Sequence, residues 1–593
     1  MRRLIPLLAL ISWVIPSGSS SQDVRLVIPQ ADESFKTALS TASLTLALQS
    51  DGAEAPQDYI AAAQADYQRL LTGLYTEGFY SGTISILIDG TEASRINPSV
   101  PSGPIETIIL SVTTGKRFTF GSTDIQPLAR STQMPEAFTT GNIARSNYIS
   151  EATIAVVDGW RNMGHPLAQT DGQTITARHV DERLDVWITI EPGPKLTFGS
   201  VVVTGNEAVR TDRVLAIAGL PTGVFDPAAM TRASKNLRRT EAFTSAIIIG
   251  GDAPEGSTLP ITIEVVEQTP RRINAGIEFS TVTGLTLSGY WLHRNLLGGA
   301  EQFRVDGEIA GLSSNTGGND YSLGSAYLRP ATFRQDTDLY INANIAQLDE
   351  PSFFERDASF EVGIIRHIYD DLILGYGIGY NFGKLSDDLS DRTYSLIYAP
   401  IEGTTDFRND PLDATSGYYS NLLFTPFLGL GGSDSGARIY GDGRIYHSFG
   451  QDDNVTLALR GQIGSILGAD AKAVPASYLF YSGGGGTVRG QPYQSLAIDI
   501  KSGTKIGGAT FIGAQFETRF KITDKIGVVG FYDTGFIGAD AVPFENGDWH
   551  AGTGLGLRYD TGIGPIRLDV ATPAIGDNAG EQIEVYIGIG QSF

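Results

Sequence analysis

Residues 372–382 read Leu-Ile-Leu-Gly-Tyr-Gly-Ile-Gly-Tyr-Asn-Phe, with large apolar or aromatic side chains at every even position. The odd positions from 375 onward carry Gly375, Gly377, Gly379 and Asn381. Successive side chains of a β-strand point to opposite faces, so this strand has one apolar face and one small or polar face. Strands of about ten residues with this pattern are typical of a transmembrane β-barrel, apolar towards lipid and polar towards the lumen.

The same alternation continues from about residue 271 to the end of the chain. In the last stretch, Ile583, Val585, Ile587, Ile589 and Phe593 share one face, and Tyr586, Gly588, Gly590 and Ser592 share the other. At about 20 residues per strand and connection, the roughly 320 residues from 270 onward predict a barrel of about sixteen antiparallel strands. A soluble β-sandwich or a propeller is the alternative, and the strand length and terminal aromatic residue favour the barrel.

The N-terminus has the pattern of a secretory signal peptide over residues 1–21. Arg2 and Arg3 precede an apolar run from Leu4 to Ile15, and small residues follow from Ser17 to Ser21. The run is shorter than a helical membrane anchor requires, and no later run of 18 apolar residues exists. We therefore expect export, and any membrane residence must come from strands.

Composition excludes several classes of function. A net charge of -23 argues against a nucleic-acid partner, and the absence of cysteine removes disulfides, thiolate catalysis and cysteine-based metal sites. The six histidines lack metal-ligand spacing, and Gly552-Thr-Gly-Leu-Gly556 lies in a strand-like run without the helix that a dinucleotide loop needs. We predict no enzymatic activity, no catalytic residue, no cofactor and no metal.

Residues 22–269 mix helical and strand patterns and contain an internal repeat. Gly115-Lys-Arg-Phe-Thr-Phe-Gly121 matches Gly193-Pro-Lys-Leu-Thr-Phe-Gly199, and Pro270 marks a looser third junction. Repeats of this size indicate small modules in series. We predict α+β modules over 22–114, 115–193 and 194–269 followed by an all-β barrel over 270–593, with helices near 34–48 and 57–75.

A series of short motifs runs along the chain in a fixed order. They are Phe198-Gly199, Trp291-Leu-His-Arg-Asn-Leu-Leu-Gly298, Asp406-Phe-Arg-Asn-Asp-Pro411, Ser416-Gly-Tyr418, Val488-Arg489-Gly490, Phe531-Tyr-Asp533-Thr-Gly535, Gly564-Pro-Ile-Arg-Leu-Asp569 and Gly590-Gln-Ser-Phe593. In this order they resemble the BamA/TamA superfamily of outer-membrane assembly factors, whose periplasmic POTRA modules precede a sixteen-stranded barrel. Three modules and the length most resemble the TamA (translocation and assembly module) branch. The resemblance implies residence in the outer membrane of a Gram-negative bacterium, with the modules in the periplasm.

The resemblance implies a loop that is locked inside the barrel. Arg489 follows four glycines in a glycine-rich stretch, and a charge in this context is either loop-exposed or held by carboxylates. The family implies that Arg489 folds inward and pairs with Asp533 and Glu517. The predicted lock comprises Val488, Arg489, Gly490, Glu517, Phe531, Asp533 and Gly535. Gln491 stands where the family usually has an aromatic residue, which leaves the packing there open.

The resemblance also implies a lateral seam between the first and last barrel strands. Gly588 and Gly590 either weaken this seam or relieve crowding where the barrel curves, and sequence alone does not decide between the two. We place Ile277 opposite Ile587. The predicted seam residues are Ile273, Ala275, Ile277, Phe279, Ile583, Val585, Ile587, Gly588, Ile589, Gly590 and Phe593.

The implied function is folding, insertion or translocation of outer-membrane proteins, autotransporters included. The implied partners are unfolded clients, outer-membrane lipid and a periplasm-spanning TamB-like protein of the inner membrane. A two-partner secretion transporter and a passive channel are the alternatives. A channel would show steady conductance through a rigid barrel.

Overall fold

The computed structural model of the protein describes residues 23–29, 33–53, 55–97, 103–280, 284–313, 317–369, 371–387, 389, 391–450, 453–501, 504–561, 564–575 and 579–593. The predicted signal peptide lies outside these ranges. One compact unit comprises residues up to 200 with 222–228 and 250–260, and a second comprises 201–221, 229–249 and 261–593. No helix in the described ranges is long and apolar enough to cross a membrane.

The N-terminal part contains three small sheets with helices packed on them. Its elements are β1 Asp23–Val27, α1 Glu33–Ala42, α2 Leu44–Ser50, α3 Pro56–Thr76, β2 Thr83–Ile88, β3 Thr91–Glu92, β4 Thr107–Thr113, β5 Thr119–Gln126, α4 Ser146–Asn162, β6 Gln169–Arg178, β7 Arg183–Glu191, β8 Thr197–Thr204, α5 Thr211–Ala218, α6 Pro227–Arg239, β9 Phe243–Gly250 and β10 Thr258–Glu267. The strand orders in the three sheets are β1-β4-β2-β3, β5-β7-β6 and β8-β10-β9.

Each copy of the sequence repeat forms a turn and the first residues of the strand that follows it. Gly115 and Gly193 adopt φ of +70° and +66°, a left-handed conformation that favours glycine, and β5 and β8 each begin four residues later. Phe120 and Phe198, at equivalent positions of the two copies, are buried. The repeat therefore encodes a turn followed by a core-facing strand.

The single helix expected near 34–48 is wrong, because the chain breaks at Ser43. Ser43 has extended backbone angles, and its hydroxyl accepts a hydrogen bond from the Leu46 amide, so it caps α2. The buried Asp66 carboxylate on α3 accepts from the Ser43 hydroxyl at 2.6 Å and from the amides of Leu44 and Thr45 at 2.8 and 3.1 Å. A capping residue thus ends one helix and starts another.

The C-terminal part is a closed antiparallel barrel, which confirms the predicted architecture. In the described ranges its wall has sixteen strand positions, one of which is shared by the two short strands Asp391–Tyr398 and Ile401–Asp406. The strands are β11 Arg271–Ser280, β12 Gly284–His293, β13 Gln302–Leu312, β14 Asp320–Arg329, β15 Thr337–Glu350, β16 Phe353–Tyr369, β17 Leu372–Asp387, β18 Asp391–Tyr398, β19 Ile401–Asp406, β20 Gly417–Gly431, β21 Gly436–Phe449, β22 Val455–Leu467, β25 Thr510–Lys521, β26 Ile526–Gly538, β27 Gly547–Tyr559, β28 Ile566–Ile575 and β29 Glu584–Ile589.

The barrel has two rims, and we call the one at which β11 begins the near rim and the opposite one the far rim. A loop of residues 468–509, the long loop, leaves the wall at the far rim and contains a small hairpin, β23 Ile498–Lys501 and β24 Thr504–Ile506. The period-two alternation is observed: Tyr376, Ile378, Tyr380 and Phe382 are exposed on the outside of the wall.

Part of the third sheet region packs against the near rim within the second unit. The buried Arg213 of α5 donates to the carbonyl of Pro330 at 2.5 Å, and Arg210 donates to the carbonyl of Leu297 at 2.6 Å. Ala300 and Ala331, in two rim turns, belong to the same buried apolar cluster as residues of α5 and α6. The Trp291–Gly298 motif thus leads into a rim turn that contacts α5.

We predict that Asp66→Ala destabilises α2 and α3, because it leaves two backbone amides and one hydroxyl without their buried acceptor. The local free energy of unfolding should fall by about 2 kcal/mol. Hydrogen exchange followed by mass spectrometry should show faster exchange across residues 44–76. Gln68→Ala, at an exposed position of the same helix, is the control. Unchanged protection in Asp66→Ala would contradict this account.

Candidate functional site

Three carboxylates face the lumen on the last strands of the barrel. Glu517 lies on β25, Asp533 on β26 and Asp569 on β28, and all three are fully buried. Each occupies the face opposite the exposed apolar residues of its strand, such as Phe516, Tyr532 and Leu568. Three negative charges buried this closely require cations within hydrogen-bonding distance.

Arg489 of the long loop supplies the first of these cations. Its Nε and Nη2 atoms donate to the two oxygens of Asp533 at 2.7 and 2.9 Å, and its Nη1 donates to Glu517 at 2.7 Å and to Asp569 at 3.1 Å. Its backbone amide also donates to Asp533, at 3.1 Å. The guanidinium carbon lies 3.6 Å from the centre of the Phe531 ring. This planar fork engages three carboxylates and an aromatic face, which an ammonium group cannot do.

Two further arginines complete the charge balance. Arg519 donates to Glu517 at 2.9 Å, and Arg558 donates to Asp569 at 2.5 Å. Three carboxylates are therefore matched by three guanidinium groups. Burial by itself lowers the pKa of Arg489, but the carboxylates of Asp533 and Glu517 outweigh this effect and raise the pKa above its ordinary value. Arg489 is a permanent cation in this setting.

Glycines of the inner wall provide the space that the loop needs. A Cβ atom on Gly552 would lie 1.9 Å from the Arg489 carbonyl oxygen, and one on Gly554 would lie 2.5 Å from the Phe531 ring. A Cβ atom on Gly535 would lie 2.5 Å from the Ser482 hydroxyl. Gly552 and Gly535 therefore leave room for the loop, and Gly554 leaves room for the Phe531 ring that Arg489 contacts.

The loop tripeptide Arg489-Gly490-Gln491 reaches the last two strands as well. The Gly490 amide donates to the hydroxyl of Tyr586 on β29 at 3.1 Å. The Gln491 side-chain amide donates to the carbonyls of Ala551 and Ile575, both at 2.7 Å, where the pairing of β27 with β28 is irregular. Together with Arg489, these contacts connect the tripeptide to β25, β26, β27, β28 and β29. Where the family usually has an aromatic residue, Gln491 instead links β27 and β28 by hydrogen bonds.

The long loop is also fastened to the opposite wall. The fully buried Glu355 of β16 accepts hydrogen bonds from the Ser477 amide and hydroxyl at 3.0 and 2.7 Å and from the Tyr394 hydroxyl at 2.6 Å. Arg392 donates to the carbonyls of Lys472 and Val474. The loop therefore crosses the lumen and is held at both ends.

The structure brings the predicted lock residues together and adds several that sequence reasoning missed. Val488 is fully buried, and its carbonyl accepts from the Gly484 amide at 3.1 Å. Asp569 lies with Arg567 on the lumen face of an alternating strand, and this alternation is the sequence signal that could have identified it. The added residues are Asp569, Arg519, Arg558, Gln491, Gly552, Gly554 and Tyr586.

A buried serine–histidine pair also escaped the sequence analysis. The Ser482 hydroxyl lies 2.7 Å from His550 Nε2, and both side chains are buried. In the part of the chain that the structure describes, no carboxylate is hydrogen-bonded to this histidine. The pair fastens the start of the glycine-rich stretch to β27.

The seam between β11 and β29 is short. In the described ranges the two strands pair only at Phe279 with Ile587 and at Ser280 with Tyr586, whereas β25 and β26 pair continuously from Thr510–Gly538 to Lys521–Gly527. Our expected pairing of Ile277 with Ile587 is wrong by two residues. Ile273, Ala275 and Ile277 pair with β12 but not with β29.

The last strand ends earlier than its alternation suggested. Of the predicted seam residues, Val585, Ile587, Gly588 and Ile589 lie in β29, and the exposed Ile583 precedes it. Gly590 adopts φ +87° and donates to the Pro565 carbonyl, so the chain turns. Phe593 is buried in the lumen near Tyr446 and Ala458, and Arg519 donates to its carbonyl at 3.2 Å. Our placement of Phe593 on the outer face of the seam is therefore wrong.

The chain resembles known proteins in sequence and in fold. The model of the Omp85 superfamily domain matches residues 295–593. The chain is 23% identical over 444 residues to outer membrane protein assembly factor BamA of Nitratidesulfovibrio vulgaris, which covers 72% of this chain and 54% of that protein. The chain thus spans about half the length of this curated relative.

Two solved structures share the fold at low identity. BamA from Haemophilus ducreyi lacking POTRA domains 1–3 matches with a TM-score of 0.61 at 15% identity, over 79% of this chain and 100% of that chain. CdiB from Acinetobacter baumannii matches with a TM-score of 0.52 at 11% identity, over 79% of this chain and 89% of that chain.

We predict that Arg489→Ala strands three buried carboxylates beside only two arginines and lowers barrel stability by about 3–5 kcal/mol. Arg489→Lys should retain the charge but lose the fork, with an intermediate effect. Thermal unfolding monitored by mobility in SDS gels would rank the variants. Arg304→Lys, a half-exposed arginine beside Asp306, is the control and should match the wild type. Equal stability of all variants would refute the lock.

We predict that Gly552→Ala displaces the long loop without removing any charge, because its Cβ atom would collide with the Arg489 carbonyl. Hydrogen exchange across residues 482–492 should accelerate. Gly443→Ala has open space around the added atom and should leave this exchange unchanged. Wild-type protection in Gly552→Ala would show that the loop does not pack against β27 at Gly552.

Proposed function

Because the chain belongs to the Omp85 superfamily, we propose that it is an assembly factor that helps outer-membrane proteins to fold, insert or translocate. The protein is an outer-membrane β-barrel with POTRA-like modules in the periplasm. The proposed route is the seam between β11 and β29. The observation that carries the proposal is the two-position pairing of these strands in an otherwise closed wall.

The seam offers unpaired backbone groups to an incoming strand. A closed barrel normally has no free edge, but most of β11 pairs on one side only, with β12. An extended client segment can add to such an edge through main-chain hydrogen bonds. Each strand added to the edge completes the pairing that the seam lacks, so client folding itself supplies the driving force and no nucleotide is needed.

The height of the wall supports the same proposal. β29 has 6 residues and β11 and β12 have 10 each, whereas β16 and β17 have 17 and 16. At about 3.3 Å per residue, the wall is shorter at the seam than on the opposite side. A lipid bilayer thins beside a short apolar surface, and this lowers the barrier to insertion of a client strand.

We assign the three N-terminal segments, 22–114, 115–193 and 194–269, to three POTRA-like modules that receive clients or a partner. The strand β6 lies at the edge of the second sheet, and most of its residues are exposed. An exposed edge suits pairing with an extended segment. The proposed partner is a periplasm-spanning TamB-like protein of the inner membrane, and the proposed clients include autotransporters.

A passive channel fits the structure less well, because the long loop crosses the lumen and is fastened to both walls. A two-partner secretion transporter, which exports one dedicated client through its pore, is the closer alternative. It differs in the role of the seam: export through the pore does not require β11 and β29 to part.

We predict that a disulfide across the seam abolishes activity reversibly. The paired positions Phe279 and Ile587 become cysteines, and the chain has no native cysteine to interfere. In liposomes, wild-type protein should accelerate the appearance of protease-resistant autotransporter or barrel client. The oxidised pair should not accelerate it, and reduction should restore the wild-type rate.

The control is a cysteine pair at Leu459 and Phe516, exposed partners in the continuous wall between β22 and β25. Its oxidation should leave client assembly unchanged. Full activity of the oxidised Phe279–Ile587 pair would overturn the seam mechanism. Steady ion conductance without any acceleration would favour the channel.

A further inference from the structure

The outer wall of the barrel carries a row of polar side chains, and the next row towards the near rim is apolar. Consecutive strand partners from β14 to β18 form this row: Tyr321 with Gln347, Gln347 with Arg356, Arg356 with Lys384 and Lys384 with Thr393. Arg356 and Lys384 are exposed. The next row towards the near rim contains Leu323, Ile345, Ala358 and Phe382.

The position of the row along the barrel corresponds to one boundary of the membrane. On β16, Ala358, Phe360, Val362 and Ile364 separate Arg356 from Arg366 on the same face. Ten residues at about 3.3 Å, tilted by about 40°, span about 25 Å, the height of the apolar band of such barrels. Arg356 and Lys384 therefore lie at the interface with the outer leaflet, and Arg366 lies at the inner one.

The two interfaces differ in how their cations are neutralised. Arg366 lies 3.4 Å from the Asp336 carboxylate in a near-rim turn. Arg356 donates to the neutral Gln347 at 2.8 Å, and among the residues that the structure describes neither Arg356 nor Lys384 forms an ion pair. Asp349 and Asp391 lie one row further towards the far rim. Two adjacent cations at the lipid boundary thus lack a counter-ion from the described chain.

An apolar groove of about 500 Å³ runs down the wall from this row. Leu287, Ile309, Leu323 and Ile345 line it, and Gln347 and Arg356 lie at its polar end. Gly307 forms part of its floor, and a Cβ atom there would have no neighbour closer than 3.8 Å. The groove suits an acyl chain, and the cations suit the phosphate to which that chain belongs.

We propose that this surface binds a phosphorylated lipid of the outer leaflet, with a phosphate on Arg356 and Lys384 and an acyl chain in the groove. Charge complementarity favours an anionic headgroup. An anion at the membrane boundary lowers the free-energy cost of holding the unpaired Arg356 and Lys384 charges beside the hydrocarbon. The lipid would fasten the β13–β17 part of the wall in the membrane. The two cations, on β16 and β17, lie apart from the lock and the seam.

The test uses the full-length protein in phosphatidylcholine nanodiscs with hexa-acylated lipid A as the probe. Native mass spectrometry and a titration with fluorescent lipid A measure binding. Bis-phosphorylated lipid A should bind about tenfold tighter than lipid A from which both phosphates have been removed. The double variant Arg356→Gln/Lys384→Gln should lose this preference. Arg366→Gln, on the same face of β16 at the other interface, should keep it.

A second pair of variants tests the groove without altering charge. Gly307→Leu fills the groove and should weaken both forms of lipid A to a similar extent. Gly461→Leu fills another outer-wall groove, of about 520 Å³ on β20, β21 and β22, and should change neither. Because these variants add only an outward side chain, they keep the proposal testable even if the double variant fails to fold.

Three outcomes would overturn the proposal. They are wild-type lipid A binding in the double variant, an equal loss in Arg366→Gln, and equal binding of phosphorylated and dephosphorylated lipid A by the wild type. Competition by millimolar inorganic phosphate separates the two sources of the anion. Persistence of lipid A binding in its presence supports a lipid site, whereas complete displacement would show a simple anion site and refute the acyl-chain contribution.

Discussion

The described structure depends on the burial of one guanidinium group. Arg489 lies within 3.1 Å of three carboxylates that come from β25, β26 and β28, and these carboxylates could not be buried together without it. The same loop segment reaches β27 through Gln491 and β29 through Gly490. Five consecutive strands therefore share contacts with three loop residues, which holds this part of the wall together as one sheet.

The C-terminal residues are connected to this arrangement through Arg519 and Arg558. Arg519 contacts both Glu517 and the Phe593 carbonyl, and Arg558 contacts both Asp569 and the Gln591 side chain at 2.7 Å. The turn at Gly590 that brings these residues into the lumen also ends β29. The charge network and the short seam are thus two consequences of one local chain path, and a change in either is expected to affect the other.

The wall is asymmetric around its circumference. At the seam β29 is short and pairs with β11 at only two described positions, whereas β16 and β17 are long, pair along their lengths and carry Arg356 and Lys384 at the membrane boundary. The long strand β16 also anchors the long loop, because its Glu355 carboxylate accepts a hydrogen bond from the Ser477 amide. A barrel built in this way can open at one place while the remainder of the wall keeps its shape. Parting two strands requires breaking every hydrogen bond between them, and the seam has far fewer of these bonds than the long strand pairs.

The sequence by itself determined the class of fold, because period-two alternation requires strands with one apolar face. An arginine in a glycine-rich loop is either exposed or held by carboxylates, and it is the family resemblance that implied the pairing of Arg489 with Asp533 and Glu517. The sequence did not give the helix boundary at Ser43. The helical pattern continues through this residue, and only its hydrogen bond to the distant Asp66 carboxylate shows that it ends one helix and caps the next. Tertiary structure alone decided where pairing stops. Three features depend on backbone groups from strands far apart in the chain: the pairing of Phe279 with Ile587, the inward turn at Gly590 and the hydrogen bonds of the Gln491 side chain. Local alternation carries no information about which distant groups will meet.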